Sequence, residues 1–339
     1  MKMERIFAAA FVVLVSTAII GFSAGDTGAS FTSTTTNPNQ SWNTQNVSPP
    51  ASFTSATSAI AGRIDLVWTA TASPAGAHTL TYLVLRGPVG GPYVQVGTTA
   101  GLTYSDTPPS DGTYEYVVQA KIAQGAGFFT SANSATKNNK SDRTAPAMSA
   151  TCNGGSCAGW FTANVTFVVS GNDGAGVGMG TATTNVDAAG ALTSAAPRTV
   201  TVSGDSAGHT VVYSGADAVG NASGNTSQTV KIDGTAPTAA TGVGSASTPG
   251  NPSNVDVTWT AGTDATSGVA GYTVRWVQAN ACPAATPANY PNSAAAGNVA
   301  AYNIAPLTKN ANYCAYVVTV DNAGNQSAAS AVTGPTKAR

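Results

Sequence analysis

A chain of 339 residues that is 42% hydrophobic is long enough for two or three domains with cores of their own and too apolar to be disordered throughout. Only 9% of its residues are charged, against roughly 25% in ordinary soluble proteins, and Thr, Ser, Asn, Gly and Ala take their place. Lys and Arg total 14 against 15 Asp and Glu, with no basic cluster. That leaves no field to hold a phosphate backbone, which excludes nucleic acid as a partner.

Lys2 and Arg5 precede IFAAAFVVLVSTAIIGF, Ile6 to Phe22, a basic start and an apolar run as in a secretory signal. At 17 residues the run is long for the apolar part of a signal and short for a membrane span. Residues 1–28 are therefore read as a signal peptide or an uncleaved N-terminal anchor. The rest of the chain is expected to be secreted or at the cell surface, with membrane contact through this segment alone. A polar leader follows over residues 29–47.

Three signposts divide what comes next: SPP at Ser48–Pro50, DRTAP at Asp142–Pro146 and DGTAP at Asp233–Pro237. The last two stand 91 residues apart, the length of one sandwich domain. The expected domains are 48–139, 140–236 and 237–336. RIDLVWTA at 63–70 alternates Ile64, Leu66 and Trp68 on one face with Asp65, Val67 and Thr69 on the other, the period of a half-buried strand. TYLVLR at 81–86 and TYEYVVQA at 113–120 are further strands of the first domain. VTFVV at 165–169, TVTV at 199–202 and HTVVYSGA at 209–216 are those of the second. VDVTWTA with Val255, Val257 and Trp259 inward, GYTVRW at 271–276 and YCAYVVTV at 313–320 are those of the third. Turns rich in Gly, Asn, Asp and Pro separate the strands and no amphipathic helix follows residue 24, so the fold expected is all-β, three tandem sandwiches.

These residues resemble known families. The first and third domains look like fibronectin type III modules, with a second-strand Trp (Trp68; Trp259), a third-strand Tyr (Tyr82; Tyr272), a Leu before the sixth strand (Leu102; Leu307) and a sixth strand opening on Tyr. The middle domain resembles bacterial immunoglobulin-like repeats through YSGADAVGN and the exit IDGTAP. Both resemblances imply architecture rather than activity.

Four cysteines, Cys152, Cys157, Cys282 and Cys314, suit disulfides in an exported protein. Three connectivities exist, and pairing within each segment, 152 with 157 and 282 with 314, asks for the least rearrangement of the chain. Zinc is disfavoured, since the close pair is not C-x-x-C and neither His78 nor His209 lies near a cysteine.

GDSAG at Gly204–Gly208, followed by His209, fits the nucleophile motif G-x-S-x-G, but that motif needs a strand, a strained turn and a helix. Here strands lie on both sides, so GDSAG is expected as a hairpin turn and Ser206 as non-catalytic. Glu115, the one Glu of the mature chain, is expected to point outward on its strand, without the second carboxylate that glycoside cleavage requires. Of five Trp, Trp68, Trp259 and Trp276 fall on core-facing positions, and Trp42 lies in the leader. Trp160, beside Phe161 and CNGGSC, is the candidate for ligand contact, the competing reading being a lid on the small disulfide.

DAVGNAS at 217–223 and DNAGNQS at 321–327 each mark the turn leaving a sixth strand. A spacing accompanies them: Asp142 precedes Asp173 by 31 residues, and Asp233 precedes Asp264 by the same 31. The entering linker and the loops after the second and sixth strands of a sandwich share one pole. Asp142, Asp173 and Asp217, and likewise Asp233, Asp264 and Asp321, are therefore candidate metal ligands. No cofactor is otherwise expected, and Ca²⁺ is the cation such an oxygen set would take. The competing reading is that each Asp only caps its own turn.

The expected function is a non-catalytic exported spacer or binding module whose partner is an extracellular protein or polysaccharide. The alternative is an accessory protein of polysaccharide binding or degradation, which a row of exposed aromatic rings would favour. A hydrolase built on Ser206 is the third reading.

Overall fold

The computed structural model describes residues 47–58, 60–72, 79–124, 127–247 and 252–339. The signal segment, the leader up to residue 46, Trp42 and His78 lie outside the described residues. Among those described there is no helix, hence none long and apolar enough to cross a membrane. The chain divides into two compact units between Asp142 and Arg143.

In the first unit β1 (Thr54–Thr57), β2 (Ile64–Val67), β3 (Thr79–Gly87), β4 (Val94–Thr99), β5 (Thr103–Asp106), β6 (Gly112–Gln124), β7 (Gly127–Thr130) and β8 (Lys137–Ser141) form two antiparallel sheets. One has the order β1-β2-β5. The other runs β4-β3-β6-β7, with β8 also on β6. Alternation sorts the side chains: Ile64 and Leu66 are wholly buried, whereas Val67 of the same strand is exposed. Trp68 packs edge-on against Tyr82 at 5.4 Å between ring centroids. Asp106, on one sheet, accepts hydrogen bonds at 2.7 Å from Arg86 and from Tyr116, both on the other. Burial first, and the bond to Asp106 next, hold the Tyr116 hydroxyl protonated far above the usual tyrosine range.

Two expectations for this unit are corrected. Leu102 precedes β5, not the sixth strand, and is exposed; its carbonyl, rather than its side chain, is used, accepting from the Trp68 N–H at 3.0 Å. Glu115 does not lie on a solvated face: it is 7% exposed, and the Tyr93 hydroxyl donates to its Oε1. Alternation tells which side of a sheet a residue takes, not whether a loop covers that side. Here the chain leading into β4 does.

The second unit holds two sandwiches. The first comprises β9 (Ala147–Cys152), β10 (Trp160–Phe161), β11 (Val165–Asn172), β12 (Met179–Val186), β13 (Leu192–Ala195), β14 (Arg198–Val202), β15 (Ser206–Asp217) and β16 (Thr226–Ile232). The sheet order is β14-β11-β9 against β10-β16-β15-β12-β13, with β10 parallel to β16. Its core has no Trp; Phe167 and Tyr213 meet at 5.9 Å instead. β14 and β15 belong to different sheets, so GDSAG is not a hairpin turn: Gly204 and Asp205 end the crossing between sheets and Ser206 opens β15. A strand–turn–strand pattern reads the same in either case.

The second sandwich comprises β17 (Thr241–Ala246), β18 (Val255–Thr260), β19 (Val269–Gln278), β20 (Asn292–Ala295), β21 (Ala301–Ile304), β22 (Asn312–Asp321) and β23 (Thr333–Lys337). Its sheets are β17-β18-β21 and β20-β19-β22-β23. Trp259 and Tyr272 repeat the ring pair at 5.1 Å, and Trp276 and Leu307 pack against the same core. β22 is buried on both faces. Its second face carries Tyr316, Cys314 and Val318 beneath Tyr290, whose ring meets that of Tyr316 at 4.8 Å.

Cys314 bonds Cys282 within this second cluster, and Cys152 bonds Cys157 in the core of the preceding sandwich. The 32-residue separation of the first pair corresponds to about 3–4 kcal/mol in the chain-entropy model, and the short loop of the second to about 2.

Where the last strand of each sandwich parts from its neighbour, serine hydroxyls replace the ladder. Ser327 and Ser330 each donate a backbone N–H to β22, at the Thr319 and Val317 carbonyls. In return their Oγ atoms accept the Thr319 and Val317 N–H groups, each at 2.9 Å. Ser131 and Ser134 do the same for β6, and Ser223 for β15.

Replacing Asp106 by Ala leaves the half-buried Arg86 guanidinium and the buried Tyr116 hydroxyl without their acceptor and is expected to cost about 3 kcal/mol in urea unfolding. Asp65→Ala removes a half-exposed pair with Arg63 and the acceptor of the Ser105 hydroxyl and is expected to cost about 1 kcal/mol.

Candidate functional site

The repeated heptapeptide builds the same turn twice. In DNAGNQS, Asp321 Oδ1 accepts the N–H of Ala323 at 2.9 Å and of Asn325 at 2.8 Å, and Oδ2 accepts Asn325 Nδ2 at 2.9 Å. In DAVGNAS, Asp217 Oδ1 accepts from Val219 and Asn221, both at 2.9 Å, and Oδ2 accepts from Asn221 Nδ2 at 2.6 Å. Gly220 and Gly324 have φ of 93° and 92°, a backbone that a side chain would strain.

DGTAP, between the two sandwiches of the second unit, is where these turns acquire a further role. Asp233 is wholly buried and is bonded in both directions. Its N–H donates to the Phe161 carbonyl of the preceding sandwich at 2.8 Å. Its Oδ2 accepts the Ser267 N–H of the following one at 3.0 Å, and its carbonyl accepts Asn325 Nδ2 at 2.8 Å. Its Oδ1 takes the Thr235 N–H at 3.1 Å. Asp264 Oδ1 gathers the N–H groups of Thr266, Ser267 and Gly268 at 3.1, 2.8 and 2.7 Å.

Asp233, Asp264 and Asp321 thereby bring one carboxylate oxygen each within 4.8 Å of one another. Among the described residues no Lys, Arg or His is paired with them. An all-oxygen, loop-built set of this kind could coordinate a cation such as Ca²⁺. Such binding would be weak, because each carboxylate already has hydrogen-bond donors of its own.

In the other predicted set, Asp173 and Asp217 bring carboxylate oxygens within 4.8 Å of each other, with Asp173 Oδ2 accepting the Gly178 N–H at 2.7 Å. Asp142 closes the first unit. It is buried, and its carbonyl accepts the Gly62 N–H at 2.7 Å.

Two residues at the junction were not singled out in the sequence. Asp205, within GDSAG, accepts the Gly234 N–H at 2.8 Å and the Thr235 hydroxyl; these donors, Gly234 first, hold its carboxyl below the usual range. Asn325 ties Asp321 to the linker. Its signal was present, as the Asn common to both heptapeptides, but Asp205 carried none beyond a turn-forming residue type.

Ser206 is the first residue of β15, and its Oγ accepts the Gly208 N–H at 3.1 Å. Both ring nitrogens of His209 are engaged elsewhere, by Asp187 and by the Gly204 carbonyl. The motif therefore has neither the helix nor the serine–histidine bond of a nucleophile elbow. Trp160 is half-buried on β10, with Lys231 Nζ 5.7 Å from its ring centroid.

Residues 236–335 match the family described as the fibronectin type III domain. No curated protein matches the chain. Among solved structures it is similar to the crystal structure of the chicken CNTN1 FN1–FN3 domains, at 15% identity over 85% of this chain and 98% of that one, with a TM-score of 0.38. It is also similar to domains A168–A170 from titin, at 11% identity over 86% and 99%, with a TM-score of 0.39. Among the described residues, neither the sheets nor the surroundings of Ser206 build a nucleophile elbow.

Asn325→Ala removes the donor to the Asp233 carbonyl and to Asp321 and is expected to lower stability by about 2 kcal/mol. Asn325→Asp, which sets a fourth carboxylate against these acceptors, is expected to cost more; urea unfolding of both variants measures it. Calorimetry in chelator and in millimolar Ca²⁺ separates the two readings of the carboxylates. A higher unfolding temperature in Ca²⁺ marks a cation site, and coincident curves mark turn caps alone.

Proposed function

We propose that the protein is exported and serves, at the cell surface or outside the cell, as a non-catalytic spacer or binding module. Residues 48–139 and 237–336 are its fibronectin type III-like parts and residues 140–236 its bacterial immunoglobulin-like part. The observation that carries the reading is the junction at Asp233, a linker residue with no exposed surface, hydrogen-bonded to the sandwich before it and the sandwich after it. A chain that only tethered two domains would need none of this. Inter-domain motion is the default unless contacts oppose it.

Export is supported by the basic and apolar start of the sequence and by two disulfides, which persist in oxidising compartments. The partner, an extracellular protein or polysaccharide, is part of the proposal. The polysaccharide-accessory alternative called for a row of exposed aromatic rings. Among the described residues the strongly exposed ones are Phe128 and Phe129, and adjacent residues of one strand point to opposite faces. That favours the spacer.

Fractionation of cells and medium, with mass spectrometry of the amino terminus, tests the proposal. The protein is expected outside the cytoplasm, with its sequence beginning after the apolar run or retained on the membrane by it. Recovery in the cytoplasm with reduced cysteines contradicts it.

A further inference from the structure

His209 stands between two acceptors with its side chain 12% exposed. Nδ1 lies 2.6 Å from Asp187 Oδ2, and Nε2 lies 2.8 Å from the Gly204 carbonyl. A neutral imidazole has one N–H and one lone pair, so in that form one contact would set a lone pair against an oxygen. Both are hydrogen bonds only for the imidazolium. Asp187, between β12 and β13, is itself fixed by the Thr210 N–H at 2.8 Å.

Asp205 belongs to the crossing that carries Gly204. β16, on one side of β15, sets Val230 opposite His209, and its Lys231 lies over Trp160. β12, on the other side, sets Val186 opposite Val211.

The second contact falls on the residue next to Asp205, and Asp205 grips the Gly234 N–H and the Thr235 hydroxyl of the linker. Two links thus run from the imidazole to DGTAP. We propose that His209 is a proton-operated latch on the junction between the two sandwiches of the second unit. As imidazolium it holds the Gly204–Asp205 segment where Asp205 grips the linker, and as neutral imidazole it releases Gly204. The neutral ring keeps its proton toward the carboxylate, the stronger acceptor.

The direction of titration agrees. Partial burial by itself lowers the affinity of His209 for its proton, but the Gly204 carbonyl and then the Asp187 carboxylate raise it, leaving the net value above the usual 6.5. The His209 bond first, and the Thr210 N–H next, hold Asp187 below the usual 3.8. A raised histidine contributes fully below 6.5, and its contribution is lost as pH rises through its folded value. A depressed carboxylate contributes above 3.8, and its contribution is lost as pH falls through its own folded value. The latch is therefore closed at mildly acidic pH and opens on the alkaline side. It requires neither the spacer role nor a cation at Asp233.

The test is an NMR titration of the full chain in chelator over roughly pH 5 to 9, with the imidazole signals assigned by His209→Gln. His209 is expected to titrate above 6.5. Hydrogen exchange at the Gly234 amide, corrected for its intrinsic pH dependence, is expected to accelerate roughly five-fold through the same midpoint. In His209→Gln, whose amide donates regardless of pH, that step is expected to vanish. A midpoint at or below 6.5, no step in the wild type, or a step that persists in His209→Gln overturns the latch. Should the variant fail to fold, the wild-type titration decides alone.

Discussion

Asp233 is the constraint on which the second unit depends. A carboxylate with no exposed surface must find donors for its oxygens, because a buried charge without them costs several kcal/mol. Here the donors come from its own turn at Thr235 and from the following sandwich at Ser267, while its backbone N–H is spoken for by Phe161 of the preceding one. Satisfying one residue therefore ties the two sandwiches of the second unit to each other. Asp205 and Asn325 extend the same logic to Gly234, Thr235 and the Asp233 carbonyl.

The surface chemistry fits this way of building a joint. With 9% charged residues, the chain has little to spend on ion pairs, and exposed pairs contribute little in any case. Neutral and charge-assisted hydrogen bonds do the holding instead: Asx-type turns at Asp217 and Asp321, serine hydroxyls standing in for ladder carbonyls at Ser223, Ser327 and Ser330, and amide donors from Asn325. Such bonds are short-range and directional, so they specify a geometry where a diffuse charge pattern would not.

Much of the fold was legible in the sequence because it rests on local periodicity. Ile64, Leu66, Val255, Val257 and Trp259 alternate as a half-buried strand must, and the structure buries them. The spacing of Asp233, Asp264 and Asp321 was legible too, since the pole of a sandwich collects its linker and two of its loops. What periodicity does not carry is the identity of the covering element. It placed Glu115 on a solvated face because it contains no sign of Tyr93 folding over it. It read GDSAG as a hairpin because a turn within a sheet and a crossing between sheets look alike in sequence. It gave no hint that both faces of β22 are buried, since the chain covering the second face around Tyr290 has no repeating pattern. Asp205 was missed for the same reason: its partner, the linker, is 29 residues away in sequence.

The central claim, that the joint at Asp233 holds two sandwiches as one body, is tested most directly by residual dipolar couplings of the backbone amides in β9–β16 and β17–β23. In the wild type a single alignment tensor should fit both sets. In Asp233→Ala, which removes the acceptor for Ser267, the two sets should require different tensors. Two tensors in the wild type, or one unchanged tensor in the variant, would contradict it.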